Sequence, residues 1–174
     1  MKIKYSEALW VIAEHIGYAR HVLNKKNNKI KTRFDRGDKN KYVDTIGVLG
    51  ELIALEHFKQ ITKPALEHLT RTKTNYKMAR LLDYTSSKNA DFIINNKKID
   101  VKTNTKTKHS HLLVNKEAHI KGKNKIDKYW FIYILNKTHA EMYLVDYNEV
   151  NTWRSKLMKY TEAFYIKKEQ LFKQ

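Results

Sequence analysis

The sequence predicts a mixed α/β domain with one central mixed β-sheet flanked by helices, on three observations. Two apolar stripes at helical spacing occupy the first third. Two short apolar runs around a polar turn follow near residue 95, and Tyr129 to Leu135 forms an aromatic-rich run suited to a strand covered on both faces. At 174 residues, 41% of them hydrophobic, the chain is long enough for one well-buried core and short for two, so residues 1–174 are read as a single domain.

The elements follow in order. From Tyr5 to Leu23, the residues Leu9, Ile12, Ala13, Ile16, Ala19 and Leu23 recur at the period of a helix, with polar residues between them. Asn24 to Lys41 then concentrates Lys25, Lys26, Lys29, Lys31, Arg33, Arg36, Lys39 and Lys41 against only Asp35 and Asp38, which reads as a mobile basic loop over 24–41. Val43 to Lys59 is the second helix, with Asp44 near its start, Ile46, Leu49, Ile53 and Phe58 as its apolar side, and Glu51 within it. In residues 60 to 88, Pro64 suits the first turn of a short helix, and either Glu67 to Thr72 or Ala79 to Tyr84 supplies a strand. Beyond residue 110, strands are expected at Leu112 to Val114, Tyr129 to Leu135, Glu141 to Asp146 and Phe164 to Ile166, and a helix over Asn148 to Met158.

The densest chemistry lies between Ala90 and Thr103. Phe92-Ile93-Ile94 and Ile99-Asp100-Val101 flank Asn95-Asn96-Lys97-Lys98, a polar turn that makes the stretch a β-hairpin. Side chains alternate along a strand, so Asp100 and Lys102 share one face while Ile99, Val101 and Thr103 take the other. Folding the hairpin returns Asp91 to the end that carries Asp100 and Lys102. Two acids and a lysine then converge.

Composition bounds the chemistry. The absence of cysteine removes disulfides, thiolate zinc sites and cysteine nucleophiles, and fits a reducing compartment. No apolar run is long enough to span a bilayer, and Glu7 and Glu14 stand where a signal peptide would be apolar, so a soluble, cytoplasmic protein without a membrane partner is expected. The net charge of +17, from 35 Lys+Arg against 18 Asp+Glu, is spread along the chain and favours a polyanionic partner, nucleic acid before others. A lysine- and asparagine-rich composition accounts for part of that charge without any binding role.

The succession Gly47-Val48-Leu49-Gly50-Glu51 on a helix, then Asp91, a hairpin turn and Asp100-Val101-Lys102 resembles the PD-(D/E)XK nuclease superfamily, whose fold is that of restriction endonucleases. The resemblance extends from about Val43 to about Asp146. Ala90 stands where that family nominally has proline. The resemblance implies a restriction-endonuclease-like core and a Mg²⁺-dependent nuclease, most simply a DNA endonuclease, with Mn²⁺ able to substitute. It implies that Asp91, Asp100 and the carbonyl oxygen of Val101 hold the metal, and that Glu51 completes or extends that shell directly or through water. Lys102 then orients or deprotonates the attacking water and braces developing charge. Hard divalent cations prefer such oxygen ligands and retain several waters.

Plainer readings stand beside each of these. Asp91 can accept turn hydrogen bonds, Asp100 and Lys102 can form a salt bridge on an exposed face, and Glu51 can be solvated. Lys25, Lys26, Lys29, Lys31, Arg33, Arg36, Lys106 and Lys108 are candidates for phosphate contacts, as is the cluster Lys121, Lys123 and Lys125, and each group also suits a solvated loop. His109-x-His111 is half of a zinc site without a third ligand. Tyr18, Tyr42, Tyr76 and Trp153 could stack on unpaired bases, although aromatics at this density more often belong to the core or its rim. A non-catalytic basic nucleic-acid-binding domain and an RNA-processing endonuclease on the same fold are the alternatives. Cutting both strands of a duplex needs two active sites, so a homodimer is the expected form on such a substrate.

Overall fold

The computed structural model of the protein describes residues 1–26, 39–57, 91–94, 97–105, 110–121, 126–158 and 161–171. It is mixed α/β, with two sheets. In chain order the elements are β1 (Lys2–Lys4), α1 (Ala8–Lys26), α2 (Lys39–His57), β2 (Phe92–Ile94), β3 (Lys97–Thr105), β4 (His111–Asn115), α3 (Lys116–Lys121), β5 (Lys128–Ile134), β6 (His139–Asp146), α4 (Tyr147–Val150), β7 (Arg154–Leu157), β8 (Glu162–Lys167) and a 3₁₀ turn (Lys168–Gln170). The five-stranded sheet has the order β1-β6-β5-β3-β2, and a three-stranded sheet the order β4-β8-β7. Among the described residues only β3 and β5 pair in parallel, so the larger sheet is mixed as expected.

β5 lies at the centre of the larger sheet, and Tyr129 through Ile134 are all buried. Alternation splits the strand between two cores. Trp130, Ile132 and Ile134 join Ile99 and Val101 beneath α1 and α2, while Tyr129, Phe131 and Tyr133 join Leu112, Val114, Val145, Trp153 and Phe164 under the second sheet. The expectation of one sheet flanked by helices is therefore corrected. Helices α1 and α2 cover one face, and β4, β7 and β8 cover much of the other, because a strand with three aromatic rings on its second face needs an apolar partner there.

Both long helices are present, with shifted ends. α1 continues through Lys26 and α2 begins at Lys39, so the basic stretch expected as a loop over 24–41 is helical at both of its margins. Lys29, Lys31, Arg33 and Arg36 lie outside the described residues, as do Phe58, Lys59, the whole of 60–88 with Pro64 and its two candidate strands, Lys106, Lys108, His109, Lys123 and Lys125. Asp44 is not at a helix start: it is buried in the second turn of α2, its Oδ2 3.7 Å from His21 Nδ1. Helix α2 is buried along nearly its whole course from Asp44 to Ala54, since α1 packs on one side of it and β3 on another. Both contacts are made through glycine. A Cβ on Gly17 would lie 2.6 Å from Thr45 Cα, and one on Gly50 would overlap Thr103 Oγ1.

The helix expected over Asn148 to Met158 does not form. α4 stops at Val150, the N–H groups of Asn151, Thr152 and Trp153 bond back three residues in tight turns, and Arg154 to Leu157 pairs with β8 instead. Val150 and Trp153 are the apolar anchors of that segment, and β7 has every residue exposed, so no helical stripe exists to hold a longer helix down. The N-terminal strand β1 pairs with β6 and is an element the sequence does not announce.

Candidate active site

The register of the hairpin builds the site. β2 and β3 pair Phe92 with Ile99, Ile93 with Lys98 and Ile94 with Lys97, so the link between them is two residues, Asn95 and Asn96, rather than the four read from the sequence. One step beyond Phe92 and Ile99 along the same register, Asp91 comes beside Asp100. β3 runs on to Thr105 past the start of β2, and there Asp91 Oδ2 accepts the Val101 N–H at 2.6 Å, while the Thr105 N–H goes to Asn104 Oδ1. Asp91 is thus held against the strand by the backbone of the residue between Asp100 and Lys102.

Lys102 Nζ and Asp100 Oδ2 form a close ion pair, with the lysine side chain 40% and the aspartate 17% exposed. Ile99 and Val101 are buried in the opposite direction, and Thr103 meets Gly50 of α2, so the alternation expected along this strand is present. α2 is seated on β3 at Gly50, and the next residue, Glu51, is buried beside the same strand.

The sequence does not single out the partner of Glu51. Arg20, from α1, donates from Nη1 to Glu51 Oε1 at 3.0 Å and from Nη2 to Oε2 at 2.9 Å, and both residues are buried. Gly47, one turn before Glu51, borders the guanidinium without being required by it, since a Cβ there would lie 3.7 Å from Nη1, an ordinary contact. Two parts of the Gly-x-x-Gly-Glu run have a local reason: Gly50 admits Thr103, and Glu51 binds Arg20. Arginine matches a carboxylate with two parallel hydrogen bonds, which a lysine could not do.

Electrostatics tie these residues together. Burial, then the nearby charges of Asp100 and Glu51, push the Asp91 carboxyl up to about 8, against the lowering effect of the Val101 N–H and Lys102. Burial alone would lower Lys102, but the attraction and hydrogen bond of Asp100, with the charges of Asp91 and Glu51, outweigh it and keep the amine protonated beyond its ordinary range. Tyr129, paired with Asp100 on the adjoining strand, is raised by burial and by the Asp100 charge; its hydroxyl lies 2.8 Å from His119 Nδ1.

Three carboxylates converge here, Glu51 matched by Arg20, Asp100 by Lys102 and Asp91 without a cation of its own among the described residues, and an oxygen-only donor set is what a hard divalent cation takes. The donor chemistry therefore fits Mg²⁺ or Mn²⁺. Its arrangement is not a finished cage, because among the described residues no three acids or histidines converge closely enough to hold an ion as they stand. Asp100 faces Lys102, Asp91 faces the Val101 N–H, and Glu51 faces Arg20. No protein-family model, curated protein or solved structure matches the chain. Among the described residues, no helix is long and apolar enough to cross a membrane.

Trp153 is 6% exposed and belongs to the core, whereas Tyr18 and Tyr42 are each 55% exposed on the two helices that border the basic stretch. Tyr76 lies outside the described residues. Lys121 ends α3 and pairs with Glu117 at 3.3 Å.

Proposed function

We propose that the protein is a divalent-metal-dependent nuclease, a DNA endonuclease before an RNA-processing one, whose reaction centre is the end of the β2–β3 hairpin. The observation that carries this reading is the convergence of Asp91, Asp100 and Lys102 at the end of the hairpin, in a chain with a net charge of +17. A neutral-pH carboxyl as strained by its neighbours as Asp91 gains most from a cation, and the chain's charge brings it polyanions.

Asp91 and Asp100 would hold the metal, with the Val101 carbonyl as a further ligand. The ion would neutralise phosphoryl charge and lower the pKa of a bound water. Lys102, a stable ammonium in this setting, fits the role of bracing charge on the phosphate and aligning the attacking water better than that of accepting a proton. Glu51, with both oxygens engaged by Arg20, would add its charge through the shell of metal-bound waters rather than by direct ligation.

Purified protein incubated with duplex, single-stranded and branched DNA and with RNA, in Mg²⁺ or in chelator, tests both parts of the proposal. Metal-dependent cleavage of at least one DNA is expected. Cleavage confined to RNA transfers the same centre to RNA processing, and salt-sensitive binding with no cleavage of any substrate leaves only a nucleic-acid-binding domain.

A further inference from the structure

The second sheet carries chemistry that the hairpin site does not use. Its inner face holds Leu112, Val114 and Phe164 against the central sheet. The pairing register therefore sends the alternate residues outward together: His111 lies opposite Lys167 and Leu113 opposite Tyr165 between β4 and β8, while Arg154 lies opposite Tyr165 and Lys156 opposite Ala163 between β7 and β8. On this face the three strands place cations and aromatic rings side by side and no acid at all. The His111 and Tyr165 rings are 5.8 Å apart, and Lys156 Nζ sits 4.8 Å from the Tyr165 ring centre. At one margin His111, Trp153, Arg154, Tyr165 and Lys167 border a cleft of about 520 Å³. The Trp153 indole N–H in its wall is buried without an acceptor, an expense that a protein rarely carries without a partner for the group.

We infer that this outer face is a binding surface for single-stranded nucleic acid, with unpaired bases stacking on Tyr165 and His111 and with Arg154, Lys156 and Lys167 on the phosphates. Every base has a π-face, so an aromatic and cationic sheet face binds unpaired strands with little sequence preference. A small rotation in the cleft wall would let a base carbonyl accept the Trp153 N–H. A duplex, whose bases are stacked already, offers this surface only its backbone. The inference rests on the nucleic-acid reading of the protein, but it makes no use of the metal or of cleavage.

Fluorescence anisotropy in chelator, where no metal-dependent cutting occurs, measures the binding of labelled single-stranded and duplex DNA of equal length. Tyr165→Ala should weaken single-strand binding about tenfold while Tyr165→Phe retains it, because the ring and not the hydroxyl makes the stack. Arg154→Ala with Lys167→Ala should flatten the dependence of log affinity on log salt by roughly 0.7 for each phosphate that is no longer neutralised. Duplex binding should change much less in the Tyr165→Ala protein. Single-strand binding by Tyr165→Ala equal to that of the parent overturns the inference, as does an equal loss with Tyr165→Phe. If the parent binds single strands through this face yet cuts nothing with Mg²⁺, the nuclease proposal falls and this surface stands. If it cuts and Tyr165→Ala binds normally, the surface falls alone.

Discussion

At the residue scale, one carboxyl with a raised pKa and one buried ion pair govern the site. Asp91 carries a proton in the folded protein up to about pH 8, whereas in an unfolded chain it loses it near about 4. Between those limits the folded state holds one more proton than the unfolded state, so the contribution of Asp91 to stability falls as pH rises through the window. Asp91→Asn removes that loss. At pH 8.5 the variant should be more stable than the parent, by a margin that shrinks as pH falls toward about 5, a difference readable in thermal melts, while losing metal-dependent activity. A lower melting temperature would mean that the carboxylate is stabilising and that the site is a structural ion pair. The Arg20–Glu51 pair should behave in the opposite way. Removing one partner leaves an unmatched buried charge, so Arg20→Met should cost about 3–5 kcal/mol in denaturant unfolding, and Arg20→Met with Glu51→Leu should recover most of it. Additive losses in the double variant would show that the two residues are not coupled. Of this centre, Asp91, Asp100 and Lys102 were legible in the sequence because strand alternation and a short turn suffice to bring them together. Arg20 was not: its only local signal is a cation inside an apolar helical stripe, and its partner lies 31 residues away.

At the element scale, the helix and the hairpin are locked to each other by one glycine. A methyl group at Gly50 has no room against Thr103, so α2 would have to lift from β3 or β3 would have to bend. Gly50→Ala should therefore destabilise the protein by about 1–3 kcal/mol and reduce activity, and Thr103→Ala in the same chain should return part of both. Equal effects of Gly50→Ala with and without the threonine side chain would disprove the contact. Helical periodicity is enough to find α1 and α2, and an unbroken apolar run, buried on both faces, is enough to find β5. It fails for Asn148 to Met158, where Val150 and Trp153 mimic a helical stripe of two members but the cross-strand partners of Arg154 to Leu157 determine the outcome. The second sheet is equally hidden, since pairing between β4 and β8 joins residues some fifty positions apart in sequence.

At the scale of the whole molecule, the larger sheet separates two kinds of work. Its helical side packs around Arg20, Glu51 and the glycine contacts, and its other side carries Asp100 and Lys102 on β3 and the second sheet packed on β5, the groups on which the proposed nucleic-acid chemistry depends. A net charge of +17 supplies attraction for polyanions without choosing among them, so the chemistry of the hairpin end is what distinguishes a nuclease from a basic binding domain. A bound divalent cation should also stabilise the folded chain, by about 2.7 kcal/mol at a concentration a hundredfold above its Kd. The most direct measurement is the initial rate of cleavage of end-labelled DNA as Mg²⁺ is titrated from chelator to saturation, with the parent, Asp100→Asn and Lys102→Ala assayed side by side. The account predicts no cleavage in chelator, a rate that saturates with metal in the parent, and losses on the order of 10²-fold or more in both variants. Cleavage that survives chelation, or variants that cut at the parent's rate, would contradict it.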